Sequence, residues 1–225
     1  MSELPRTLDE TLDQCRQALA AALAGGKTRA QIDIKVPGLD VLVLVPGLAP
    51  VLGESGWAAA FADPGAAALA RRRLGAVGYE LRGLSELKLR GGERSAVLAV
   101  EPSAIEVETV ELIAARTEGR PFILLNSRLQ EAGVVGIGLA GRQLRDRFLS
   151  TFEMAYAVQP FEGGSLYRAY PGPWQLWRET REGDYTKVGE FETRPLGEDI
   201  DRALYPKKGE ALLDGLRRFL RALGR

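Results

Sequence analysis

The chain has no histidine and, in 225 residues, a single cysteine, Cys15. Without histidine there is no imidazole base, no Ser-His or Cys-His nucleophile pair, and no His-containing zinc site. One cysteine makes neither an internal disulfide nor a thiolate cage, and it fits a reducing compartment. We therefore expect no metal and no cofactor. An excess of charge of one sign is also missing, since 30 Lys+Arg balance 30 Asp+Glu. A nucleic-acid partner is not expected, because neutralising phosphates requires a strong basic patch. Long apolar runs are absent too: residues 39–52 are interrupted by Pro46 and Pro50 and fall short of the roughly 20 residues that span a bilayer. The polar, acidic stretch Ser2 to Glu10 is unlike a signal or transit peptide, which points to a cytoplasmic location.

What is present is ordinary globular material. A hydrophobic fraction of 45% supplies a core, and the length suits one domain. Leu4, Leu8, Leu12, Cys15, Leu19 and Leu23 recur at helical spacing and predict an amphipathic helix over 4–24, stopped by Gly25-Gly26. On that stripe Cys15 reads as a small core residue rather than a nucleophile. Alternation from Gln31 to Val36 predicts a strand, and Leu39 to Val45 a second short strand or a buried loop. Trp57 to Ala62 reads as a strand. Asp63 follows as an N-cap, with Pro64 at the first helical position, a helix through Leu74 and a Gly75 stop. Ser95 to Val100 is a strand, Pro102-Ser103 opens a helix through Thr117, and Pro121 to Asn126 reads as a strand buried on both faces. A further helix is expected at about 138–154. Then come four closely spaced strands, Tyr156–Phe161, Ser165–Tyr170, Trp174–Thr180 and Tyr185–Glu192, and a helical tail over 198–225.

Strands alternating with helices and then meandering predict an α/β fold. The expectation is a three-layer, mostly parallel Rossmann-like sheet with a C-terminal antiparallel extension and flanking terminal helices. Residues 1–225 form one domain, with an alternating part over 1–155, antiparallel strands over 156–195 and C-terminal helices over 196–225.

One stretch matches a ligand-binding pattern. Gly136-x-Gly138-x-x-Gly141 follows a buried strand and opens a helix, and Glu162 lies near the distance of a ribose-binding acid. Backbone N–H groups at a positive helix end would hold phosphate, helped by Arg142 and Arg145. Against a dinucleotide, about ten residues separate Asn126 from Gly136, where the fingerprint needs a tight turn. A loop with a solvated helix start is the plainer reading. Asn126, at the carboxyl end of a central strand, and Arg128, Arg142, Arg145 and Arg147 form the rest of the candidate surface. The plainer reading pairs Arg142 with Asp146 and buries Leu144, Phe148 and Phe152 on that helix.

Tyr167, Tyr170, Trp174, Trp177 and Tyr185 form an aromatic block. Trp174 and Leu176 share one face and Gln175 and Trp177 the other. Cross-strand core packing accounts for most of it; any exposed remainder, with Tyr170 and Trp174 as candidates, suits contact with a partner. In the tail, Leu212, Leu213, Leu216, Phe219, Leu220 and Leu223 lie apart from Arg217, Arg218, Arg221 and Arg225. Such a basic amphipathic helix either packs on the sheet or lies on an anionic membrane.

Seven segments in order resemble one family: Leu4-Pro5, Phe61 to Arg71, Arg120 to Asn126, Gly136 to Gly138, Arg142 to Ser150, Tyr167 to Trp177, and Arg194-Pro195. The resemblance is to the DUF1995 family, a domain of unknown function found in cyanobacteria and chloroplasts. It spans nearly the whole chain and is most specific in Tyr-Pro-x-x-Trp and Arg-x-x-x-x-Phe-Leu-Ser. This chain has Asn126-Ser127 where the family pattern has Asn-Pro. The family brings no catalytic residues. It includes a low-photosystem-II-accumulation protein and a plant member fused to an adenylate kinase. The resemblance implies a non-enzymatic accessory factor of photosystem II assembly at the cytoplasmic face of the thylakoid. Its implied partners are the photosystem core or inner antenna subunits, with peripheral membrane contact. The alternative is a binder of, or enzyme on, a nucleotide or other phosphorylated ligand at the Gly-rich turn.

Overall fold

The computed structural model describes residues 3–89, 93–117, 119–131 and 147–205. Helix α1 spans Leu8–Ala24, and the Thr7 hydroxyl caps it by accepting from the Glu10 N–H. Its apolar stripe places Cys15, Ala18, Leu19 and Ala22 in the core. Strand β1 (Arg29–Ile34) follows.

Residues 41–45 correct the expectation of a strand or loop. A 3-10 turn over Val41–Val43 runs into helix α2, Leu44–Leu52, with two prolines inside the span. The Asp40 carboxylate starts the turn by accepting from Leu42 N–H at 3.0 Å, and it also pairs with Arg73. That backbone hydrogen bond, followed by the Arg73 pairing, holds its pKa below the ordinary value. Pro46 occupies the first turn, where an N–H has no helical partner to lose. Gly47 lets α1 and α2 pack closely, for a β-carbon there would stand 2.6 Å from a Leu12 methyl.

The alternating part continues with β2 (Ala58–Phe61), α3 (Pro64–Leu74), β3 (Glu80–Gly83), α4 (Leu84–Leu89), β4 (Val97–Val100), α5 (Val107–Arg116) and β5 (Phe122–Leu125). The punctuation reads as expected. Asp63 caps α3 through Ala66 N–H, and Gly75 ends it with φ +67°. Ser103 and Glu106 form a capping box ahead of α5. Strand β3 and helix α4 leave too short a pattern to read in sequence. They are anchored where Tyr79 stacks on Trp57, ring centres 4.0 Å apart.

The antiparallel part comprises β6 (Glu153–Phe161), β7 (Gly164–Ala169), β8 (Trp174–Glu179) and β9 (Tyr185–Phe191), followed by helix α6 (Gly197–Leu204). Strand β6 starts three residues earlier than expected. The helix expected through 154 gives way to a 3-10 turn, Leu149–Thr151, beside which Phe152 meets both Phe148 and Phe122 edge to face. The remainder of that expected helix, the Gly136–Gly141 turn and the tail beyond residue 205 lie outside the described residues.

The nine strands among the described residues form one sheet, ordered β3-β2-β4-β5-β1-β6-β7-β8-β9. Pairing is parallel from β3 through β6 and antiparallel from β6 through β9. The fold is therefore α/β, a mostly parallel sheet with a C-terminal antiparallel extension. Residues of α1, α2 and α3 share one apolar cluster and those of α4 and α5 another, on opposite faces of the sheet. Connections running toward β3 use the first face and those running back use the second, as right-handed crossovers require. Strands β2, β4 and β5 are buried along their whole length.

Cys15 is fully buried in this core, and burial pushes its thiol pKa well above the ordinary value. A thiol reagent should therefore leave the native protein unmodified and label one group per chain after denaturation. Native labelling at the rate of a free thiol would contradict this packing.

Candidate functional site

In open α/β sheets ligands sit at the carboxyl ends of the strands, where neighbouring connections diverge to opposite faces. Here one such point lies between β2, which leaves to α3, and β4, which leaves to α5, and another between β1, which leaves to α2, and β5, followed by Leu129 on the opposite face. The edge is made of Lys35 after β1, Asp63 after β2, Glu101 after β4, and Asn126 to Arg128 after β5.

Two residues on this edge hold a left-handed backbone that side chains rarely adopt. Glu101 has φ +48° and Asn126 φ +50°. Asparagine tolerates that region, and here its side chain has a definite task. Asn126 Oδ1 accepts from the Ile34 N–H at 2.7 Å, and its Nδ2 donates to the Ile34 carbonyl at 3.0 Å. Its own N–H donates to the Ile32 carbonyl at 2.8 Å. The side chain thus acts as one more rung of the β5–β1 ladder, and both of its polar atoms are engaged. Ser127 is buried and its hydroxyl accepts from Leu129 N–H at 3.2 Å, which shapes the turn after β5.

The described helix starts here are also occupied. The Asp63 carboxylate sits at the head of α3, and the Ser103–Glu106 box heads the turn into α5. These caps fill the positions where a phosphate would be bound. Arg128 and Glu101 remain exposed at the edge. Arg147 is bonded through two nitrogens to Glu111 on α5 at 3.0 Å each, a salt bridge rather than a ligand arm. Glu162 lies in the β6–β7 hairpin turn, exposed, with Gly163 at φ +82°. Gly136, Gly138, Gly141, Arg142 and Arg145 fall outside the described residues.

The aromatic candidates do not join this edge. Tyr170 N–H donates to Ala155 near the start of β6, and a β-carbon on Gly25 would stand 3.0 Å from the Tyr170 hydroxyl. It packs on the α1 side of the sheet. Trp174 packs on the opposite side with α6 and is only 3% exposed. It lies between two guanidinium groups, Arg168 at 5.9 Å and Arg194 at 5.6 Å from the ring centre. Three strand spacings, about 14 Å, separate β5 from β7. Asn126, Tyr170 and Trp174 therefore occupy three separate places.

A polar seam that composition does not reveal runs from Trp174 toward β1. Arg194 donates to Gln159 Oε1 at 2.7 Å, and Gln159 Nε2 donates to Asp33 Oδ2 at 2.9 Å. Asp33, only 1% exposed, also accepts from Gln31 and lies 3.4 Å from Lys35 Nζ. A buried carboxylate so surrounded is a joint between β1 and β6.

A family model described as a domain of unknown function, DUF1995, matches residues 5–202. The chain belongs to the DUF1995 family. None of the curated proteins matches it. The DUF1995 match runs from the start of the N-terminal helix segment into α6, so it covers both parts of the sheet. Among the described residues, no helix is long and apolar enough to cross a membrane, and no group of three His, Cys, Asp or Glu is placed to hold a metal ion.

Sequence reasoning missed Gln14. Its Oε1 accepts from the hydroxyls of Tyr156 (3.1 Å) and Tyr167 (3.0 Å), and its Nε2 donates to the Glu3 carbonyl at 3.0 Å. Burial pushes the Tyr156 phenol pKa far up, so it stays a neutral donor. The only sequence signal was a polar residue beside the apolar stripe of α1. It ties the N-terminal segment to the sheet, where that segment forms one wall of a groove with Trp177 and the β8–β9 turn.

Replacing Asn126 by Ala should cost about 3 kcal/mol, since it strands two backbone groups and leaves a left-handed β-carbon. Gly at the same position should cost roughly 1 kcal/mol less by relieving the backbone. Urea unfolding measures both; equal losses would show that the backbone conformation carries no cost.

Proposed function

We propose that this DUF1995 protein is a non-catalytic accessory factor that works by binding other proteins, and that its task is photosystem II assembly. One observation supports the non-catalytic reading most directly. Asn126, Asp63, Ser103 and Glu106, the polar groups best placed for chemistry at the carboxyl edge, are bonded into the fold itself. A catalytic crevice keeps such groups free to meet a substrate. The photosynthetic assignment comes from the resemblance to low-photosystem-II-accumulation proteins. On this reading the protein works at the cytoplasmic face of the thylakoid, against the photosystem core or inner antenna subunits. Deleting the gene in its host should lower the amount of assembled photosystem II resolved on native gels, most strongly under high light. Unchanged assembly under high light would overturn the assignment.

A second reading keeps a phosphorylated ligand at Gly136–Gly141 with Arg142 and Arg145. It is favoured by exposed Arg128, which follows β5 and precedes that stretch in sequence. A thermal-shift screen with nucleotides and sugar phosphates should then show stabilisation that Gly138→Val or Arg142→Ala abolishes. No stabilisation, or stabilisation that both variants keep, would remove this reading.

A further inference from the structure

The N-terminal segment and the β8–β9 hairpin tip face each other across a groove of about 480 Å³. This volume lies within the range of small-ligand pockets. Trp177 and Tyr185 contribute aromatic surface, and Leu4 and Pro5 an apolar wall. Trp177 pairs opposite Lys187 and Tyr185 opposite Glu179, so the two aromatics are diagonal neighbours on one face of the hairpin. The Trp177 indole N–H already donates to Gln175 at 3.1 Å. What this residue offers the groove is ring surface.

The groove is built before any ligand arrives. Gln14 holds the Glu3 carbonyl, and the Arg6 N–H donates to Glu10 Oε2 at 2.7 Å. On the other side, Thr180 and Asp184 close the hairpin turn through backbone and side-chain hydrogen bonds at 2.7 and 3.2 Å. Both walls are thus fixed by contacts outside the groove.

Its charge selects the ligand's sign. Glu3 and Asp184 line it against one cation, Arg6. Arg6 reaches Asp184 Oδ1 at 3.1 Å, while the Glu3 carboxylate has no partner among the described residues. An anion would meet two carboxylates and the negative faces of two rings. An uncharged apolar ligand would strip water from both carboxylates with nothing in return. A planar or alkylated cation gains from ring faces and carboxylates together. The chain's own guanidinium, Arg6, already takes half of that position.

We propose that this groove binds a guanidinium or alkylammonium group, with Trp177 and Tyr185 supplying ring surface and Glu3 and Asp184 the counter-charges. The proposal is independent of the photosystem assignment. The cation comes either from a free small molecule or from an Arg or Lys side chain of a partner, and the test separates the two.

The test is a titration of the ¹⁵N-labelled full chain, following the Trp177 indole N–H signal, which is assigned by its loss in Trp177→Phe. The probes are tetramethylammonium, N-acetyl-arginine amide, the peptide Gly-Gly-Arg-Gly-Gly and the same peptide with neutral citrulline. The cationic probes should give a saturable shift and the citrulline peptide none. Glu3→Gln combined with Asp184→Asn should weaken binding about fivefold, the equivalent of about 1 kcal/mol. Arg6→Ala, which removes the internal competitor, should tighten it. These residues are exposed surface groups, and an unchanged melting curve confirms that the variants fold. A peptide that binds more tightly than the amide assigns the site to a partner's side chain, and equal affinities assign it to a free cation. Absence of any saturable shift, equal response to citrulline, or indifference to the carboxylate and Arg6 variants would overturn the proposal.

Discussion

The two hydrogen-bonded ladders of β1 join everything else. It is the strand through which the parallel strands β5, β4, β2 and β3 connect to β6 and the antiparallel meander. Each edge of β1 carries a reinforcement beyond the ladder. Toward β5, the Asn126 amide completes the pairing above Leu125. Toward β6, Gln159 reaches across to buried Asp33. Alternate residues Ala30, Ile32 and Ile34 face the cluster under α1 and α2, so the strand is also clamped by apolar burial.

That arrangement decides where the molecule has polar groups to spare. At the carboxyl edge, the side chains that would meet a ligand are caps and rungs, and removing them costs stability before it costs recognition. At the meander end, in contrast, α1 covers one face and α6 the other, and neither closes the space between the N-terminal segment and the β8–β9 turn. The groove there is bordered by Leu4 and Trp177, which also pack on the core, and by the exposed side chains of Glu3, Arg6 and Asp184. Four strand spacings, about 19 Å, separate it from the β5 edge, so the two regions are spatially distinct.

Much of the architecture was legible because its signals are local. Asp63-Pro64 and Gly75 bracket α3 through cap geometry that depends on a few neighbouring residues. Phe122–Leu125 is apolar without alternation because both faces are covered. The failures are also physical. Residues 39–45 read as a short strand or a buried loop, yet Val41–Val43 turn into α2, where Pro46 falls in a first turn and Gly47 permits a close helix crossing. Strand β3 is four residues long on a sheet edge, too short to show a period. Of the candidate residues, Asn126 was rightly placed at a strand's end, but its hydrogen bonds to Ile34 reach 92 positions along the chain. Trp174 was named for its chemistry, and packing under α6 between two arginines took it out of reach.

The sequence by itself determined the class of fold, the family and the chemistries excluded, since missing histidine and a lone cysteine hold in any conformation. Periodicity and capping determined most elements, because they are energies between residues a few positions apart. Only the tertiary structure decided which polar groups are consumed and which remain available. Gln14, Glu3, Trp177 and Asp184 come together because α1 lies across β6 and β7, an arrangement set by the packing of distant surfaces.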